Sequence, residues 1–188
     1  VAAAFEPTLL NLAQQPGLRA PALASLGRLH GAAGESAKAL ALAEQAHAAD
    51  PNSREAAALA VDLMSRLPAA ENVVLNYLAR SRPDGKPDTP MRLAYGQTLA
   101  QGNRHGDALP VLEKAVQERP DLASGWLTLG AVQLELKHPK EAEVALKRYL
   151  AVQEQAALAP AATAASTPAD GSAPGVGPAA EENEAMQR

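Results

Sequence analysis

The chain has 188 residues, 47% of them apolar but only 3% aromatic, a formal charge of −4 and no cysteine. With charges of both signs interspersed, that balance supplies no general attraction to nucleic acid or to an anionic membrane surface, and the missing thiols exclude disulfides, thiolate nucleophiles and cysteine-ligated zinc. Ala and Leu carry the apolar fraction, and both favour helix, so the composition points to thin layers of closely approaching helices with no single large core.

No apolar run reaches the length of about 18 residues that a membrane span needs, so no direct membrane insertion is expected of this chain. The opening "VAAAFEPTLL" lacks the basic n-region and full apolar h-region of a secretory leader. In "FEPTLLNLAQQPG", Phe5, Leu9 and Leu12 read as the apolar stripe of one helix. Residues 1–19 are therefore expected to be a partial unit, a second helix without its first, in a fragment of a longer or processed protein.

From residue 20 onward one pattern recurs. "PALASLGRLHGAAGESAKALALAEQAHAADP" and "MRLAYGQTLAQGNRHGDALPVLEKAVQERP" align in phase, with Gly27, Gly96 and Gly130 each followed twelve residues later by Ala39, Ala108 and Ala142. The glycines are spaced by 69 and then 34 residues, which fits units at 20–53, 54–88, 89–122 and 123–156, a period characteristic of stacked helical hairpins. Small residues at the crossing let paired helices approach, while larger neighbours fill the space between units.

Each unit reads as two helices. In the second, Asn52 and Glu55 have capping-box spacing and Ala57, Ala60, Val61 and Met64 follow; Pro83 and a polar connection predict an irregularity near residues 83–88. In the third, Thr89 is the expected N-cap, with Pro90 at the first helical position. Leu93, Tyr95 and Leu99 precede the "GNRHGD" break, and Ala108, Leu112 and Ala115 lead to a stop at Pro120. In the fourth, Trp126 and Leu129 precede Gly130, and Trp126 is expected to pack between helices. Residues 157–188, dominated by Ala, Pro, Gly, Ser and Thr, are expected to be a disordered tail or linker.

Convergent chemistry is absent from this pattern. His30, His47, His105 and His138 are scattered, with only His105 and Asp107 close in sequence, so turn or cap duty is expected of them and no metal site. No serine lies in a G-x-S-x-G elbow, and Glu141 and Glu143 fit a solvated first helical turn. No catalytic residue and no cofactor is assigned.

The phased Leu26-Gly27, Ala39, Ala43, Ala46 and Pro51, then Tyr95-Gly96, Leu99, Ala108, Leu112, Ala115 and Pro120, then Trp126, Leu129-Gly130 and Ala142, resemble the tetratricopeptide repeat. The resemblance implies an all-α fold, an α-solenoid of stacked antiparallel helix pairs in a right-handed superhelix. It also implies a non-catalytic scaffold that binds a protein or peptide in a concave groove lined by first helices. Carried over position by position, the groove residues are Arg28, Asp62, Arg66, Leu93, Gln97, Gln101, Leu127 and Leu134. The Lys and Asn clamp of chaperone-tail-binding members has no counterpart, because its first-helix positions here are Ala24 and Arg28, Ala58 and Asp62, Leu93 and Gln97. Met91 to Leu150 is also similar to the early repeats of bacterial tetratricopeptide lipoprotein adaptors, which implies the periplasmic side of the outer membrane, with a cytoplasmic home as the alternative. The other reading is an architectural spacer or self-association module working through solenoid ends, where Leu146, Leu150 and Val152 lack a polar cap.

Overall fold

Alanine at helix crossings and polar turns between helices determine the architecture. The computed structural model describes residues 2–80 and 84–158. Among these residues there are nine α-helices and no strand: α1 Ala2–Leu12, α2 Arg19–Ala32, α3 Ser36–Ala49, α4 Arg54–Leu63, α5 Glu71–Ala79, α6 Thr89–Gln101, α7 His105–Glu118, α8 Ala123–Glu135 and α9 Pro139–Leu158. They pack as hairpins α2/α3, α4/α5, α6/α7 and α8/α9, with α1 leaning on α2. The first helices α2, α4, α6 and α8 follow one another as an inner layer, packed most closely at α2–α4 and least at α6–α8, and the second helices meet sparsely. The fold is an all-α solenoid. Its main core runs from Ala39 to Ala145 between the layers, and a smaller cluster of Leu23, Ala24, Ala46 and Ala56 seals the first hairpin to α4.

The phased glycines mark places where a side chain has no room. A Cβ on Gly96 would lie 2.7 Å from Leu112 Cδ2, and one on Gly130 would lie 2.9 Å from Leu146 Cδ2. Leu112 and Leu146 occupy equivalent places on α7 and α9. Their counterpart on α3 is the smaller Ala43, and over Gly27 the nearest side chain is instead Leu59, reaching across from α4.

The hairpin turns share a second rule. Gly34, Asn103 and Lys137 stand at equivalent positions and all have positive φ, at 84°, 59° and 63°. Each left-handed residue lets the next backbone N–H reach back to the helix: Glu35 to His30 O at 2.9 Å, Arg104 to Leu99 O at 2.9 Å and His138 to Gln133 O at 2.8 Å. Lys137 holds this conformation against its own Cβ. Lys137→Gly is expected to raise stability by about 0.5–1 kcal/mol, read as a higher urea midpoint, because relief of the left-handed strain exceeds glycine's added chain entropy.

The second unit cannot make that turn. Its equivalent residue is Pro68, whose ring fixes a negative φ and which has no N–H to donate. Leu67 before it is extended, with φ −132° and ψ 97°. Helix α4 consequently has 10 residues where α2 has 14 and α6 and α8 have 13, and a 3₁₀ turn at Pro68–Ala70 bridges to α5. The irregularity expected near 83–88 thus has an earlier seat in the same unit; residues 81–83 lie outside the described residues.

Two caps differ from expectation by one residue. Ser53, not Asn52, caps α4, its Oγ accepting from Ala56 N at 3.2 Å, while Asn52 N donates to Asp50 Oδ1. Asp88, not Thr89, caps α6, its Oδ1 accepting from Met91 N at 3.1 Å. The tail expected from residue 157 lies outside the described residues except for Ala157 and Leu158, which close α9.

Candidate protein-binding groove

The inner layer groups the predicted groove residues unevenly. Arg28 on α2, Asp62 on α4 and Arg66 just beyond α4 are exposed and come together around a depression of about 370 Å³ floored by Gly31, Leu59 and Leu63. Arg66 Nη1 donates to Gly31 O at 3.4 Å, a long contact that leans this guanidinium across the gap between units. Neither Arg28 nor Asp62 has an ion-pair partner among the described residues. Gln97 is half-buried, and its Nε2 donates to Thr128 Oγ1 at 3.3 Å, tying α6 to α8. Gln101 is exposed at the end of α6, in a separate depression with Ser65 and Arg104. Leu127 and Leu134, two turns apart on α8, remain 45% and 52% exposed.

Leu93 does not belong to this surface. It is only 7% exposed and sits in the main core, its Cδ1 3.8 Å from where a Cβ of Gly125 would be. Leu93 thus packs in contact with the Gly125 turn of α8, and a position that lines the groove in the family serves here as a packing contact.

The polar joints beside the groove had no sequence signal, since their members are 24 to 33 residues apart. Tyr95 donates to Glu71 Oε1 at 2.6 Å and Arg104 Nη1 to Glu71 Oε2 at 2.7 Å, which locks α5 against the α6–α7 turn. The Arg104 hydrogen bond, then that of Tyr95, hold the Glu71 carboxyl below its ordinary range despite burial; burial and the Glu71 bond raise the Tyr95 phenol. Thr89 and Arg92 share Glu118, at 2.8 and 3.2 Å, fastening α6 to the end of α7. These residues leave few donors for a ligand, and their effect is to fix the angle between units.

Trp126 is half-buried, packs against the main core, and its Nε1 donates to Pro120 O at 2.8 Å. It therefore joins α8 to the preceding turn, but one side remains open toward the outer helices. Trp126→Ala is expected to cost about 2 kcal/mol in urea denaturation, less than the 3–5 of a fully enclosed tryptophan.

Residues 98–165 match the family described as Tetratricopeptide repeat. No curated protein matches the chain. Among solved structures it is similar to a crystal structure of MamA, at 18% identity and TM-score 0.60 over 74% of this chain and 81% of that one. It is also similar to MamA from Desulfovibrio magneticus RS-1, at 15% identity and TM-score 0.58 over 80% and 86%, and to PilF from Pseudomonas aeruginosa, at 24% identity and TM-score 0.54 over 72% and 61%. At such identities the likeness is one of fold. The family match begins at the end of α6 and takes in α7, α8 and α9, so it is this segment that carries the tetratricopeptide repeat, and the earlier hairpins repeat the same packing and the same phased small residues.

Proposed function

We propose that the chain is a non-catalytic interaction scaffold that binds a protein segment along its inner layer, as four units at 20–53, 54–88, 89–122 and 123–156. The observation that carries this reading is the polarity of that layer: Arg28, Asp62 and Arg66 are exposed at one end, and Leu127 and Leu134 at the other. A face with a charged end and an apolar end suits a segment that brings charges of the opposite sign to Arg28, Asp62 and Arg66 and apolar side chains to Leu127 and Leu134. Exposed apolar side chains supply contact area, and the unpaired charges set direction and register.

Site-specific photo-crosslinking in the native cell tests the assignment. A photoreactive side chain at Gln101 or Leu127 is expected to capture a discrete partner, and Arg28→Ala with Arg66→Ala to lower that yield at least fivefold without changing the melting curve. The same probe at Glu113, exposed on the outer helix α7, serves as the reference. Equal capture from Glu113 and from the groove would overturn the reading.

A further inference from the structure

The largest cleft among those described lies outside the groove. Helices α7 and α9 share little contact, and between them, over α8, lies a cleft of about 560 Å³, inside the range of about 300–1,000 Å³ typical of ligand sites. Its apolar surface comes from Val116 at the end of α7, Trp126 on α8, and Ala151 and Val152 on α9. The indole contributes only apolar surface, since its single donor is engaged by Pro120 O.

The charges at the rim are not equivalent. Asp121 is gripped by Arg119, with Nε to Oδ1 at 2.8 Å and Nη2 to Oδ2 at 2.6 Å, and this bidentate pair holds the carboxyl down at about 2. Its negative charge is answered locally. Arg148, on the opposite wall, is exposed and has no carboxylate within ion-pair distance among the described residues. Exposed amides of Gln117 and Gln155 flank the opening and can each both donate to and accept from a passing backbone.

We propose that this cleft is a second peptide-binding site, which takes an apolar side chain against Trp126 while an adjacent acidic side chain pairs with Arg148. An apolar pocket with one free guanidinium at its edge selects a carboxylate next to a hydrophobe, and the glutamine pair favours a peptide strand over a compact small molecule. The site is independent of the groove: apart from Trp126 and the α7–α8 turn it uses outer helices α7 and α9, and it shares no residue with Arg28, Asp62, Arg66, Gln97, Gln101, Leu127 or Leu134.

Trp126 is the only tryptophan, so its fluorescence reports on this cleft alone. The full chain is titrated with N-acetyl-Leu-Glu-amide and with the neutral N-acetyl-Leu-Gln-amide. A saturable change is expected with the first peptide, about tenfold weaker binding with the second, and loss of that preference in Arg148→Gln. Amide chemical shifts of the unmodified chain provide a reading that does not depend on the variant: Trp126 Nε1–H and Ala151 move, and Gln97 and Leu134 stay. No saturable response, equal binding of both peptides, or a preference that survives Arg148→Gln overturns the proposal. Shifts at Gln97 and Leu134 in place of Trp126 would also overturn it while supporting the groove, and concentration-dependent Trp126 emission without peptide would assign the cleft to a second copy.

Discussion

Asp88→Ala is expected to destabilise the protein by about 3 kcal/mol, because it removes a buried carboxylate on which three helices converge. Asp88 is 6% exposed. Its Oδ2 accepts from Tyr77 Oη at 2.7 Å at the end of α5 and from Arg54 Nε at 3.0 Å at the start of α4, while Oδ1 caps α6 through Met91 N at 3.1 Å. Alanine would leave the Tyr77 hydroxyl and the cap N–H without these acceptors, at a cost greater than the bonds' net worth. Asp88→Asn keeps a capping oxygen but loses the charge facing Arg54, so a smaller loss of about 1–2 kcal/mol is expected. The pH dependence separates the charge from the packing. Burial pushes the Asp88 carboxyl up, but the hydrogen bonds from Tyr77 and Met91 and the attraction of Arg54 outweigh it and leave the native value lowered. A carboxyl lowered by folding contributes stability above its unfolded pKa of about 4 and loses it as pH falls through the native value. The gap between wild type and Asp88→Ala in urea midpoint should therefore be full at neutral pH and narrow steadily below about pH 4; a gap unchanged by acid would sink the electrostatic account.

Leu112→Ala is expected to cost about 3 kcal/mol, since Leu112 is fully enclosed between α6 and α7 and its removal leaves a cavity in the main core. Gly96→Ala should cost about 2 kcal/mol for the opposite reason, overpacking, because the new methyl meets Leu112 Cδ2 at 2.7 Å and Cγ at 2.9 Å. The two effects share the same few cubic ångströms. In the double variant the added methyl enters space that Leu112 has vacated, so the total should stay near that of Leu112→Ala alone, a coupling of about 1–2 kcal/mol in a double-mutant cycle. Simple additivity would show that Gly96 is small for another reason.

The legible part of the sequence was the part enforced sterically at fixed spacing. A crossing that cannot accept a Cβ repeats with every unit, so Gly27, Gly96 and Gly130 announced the hairpins, and Ala39, Ala108 and Ala142 fixed their phase. Features set by partners distant in sequence were not legible. Both Asn52 and Ser53 can cap a helix, as can both Asp88 and Thr89; Thr89 is engaged instead by Glu118, 29 residues on, and Asp88 is aimed by Tyr77 and Arg54. Leu93 was placed in the groove by family position, but it packs into the main core against α8, whose Gly125 lies 32 residues later. The Trp126 cleft is assembled from α7, α8 and α9, whose spacing no single helix encodes.

Pro68 has a consequence for how the four units relate as parts. Averaging them into a consensus would write glycine or asparagine at that turn and align all four first helices at equal length, erasing the shortened α4 and its 3₁₀ bridge. The Asp88, Tyr77 and Arg54 joint spans the ends of that same shortened hairpin. The second unit is thus not an interchangeable copy of its neighbours. It is the one tile cut to a different size, and exchanging it for the first, third or fourth would shift the register between the charged end of the inner layer and the apolar end.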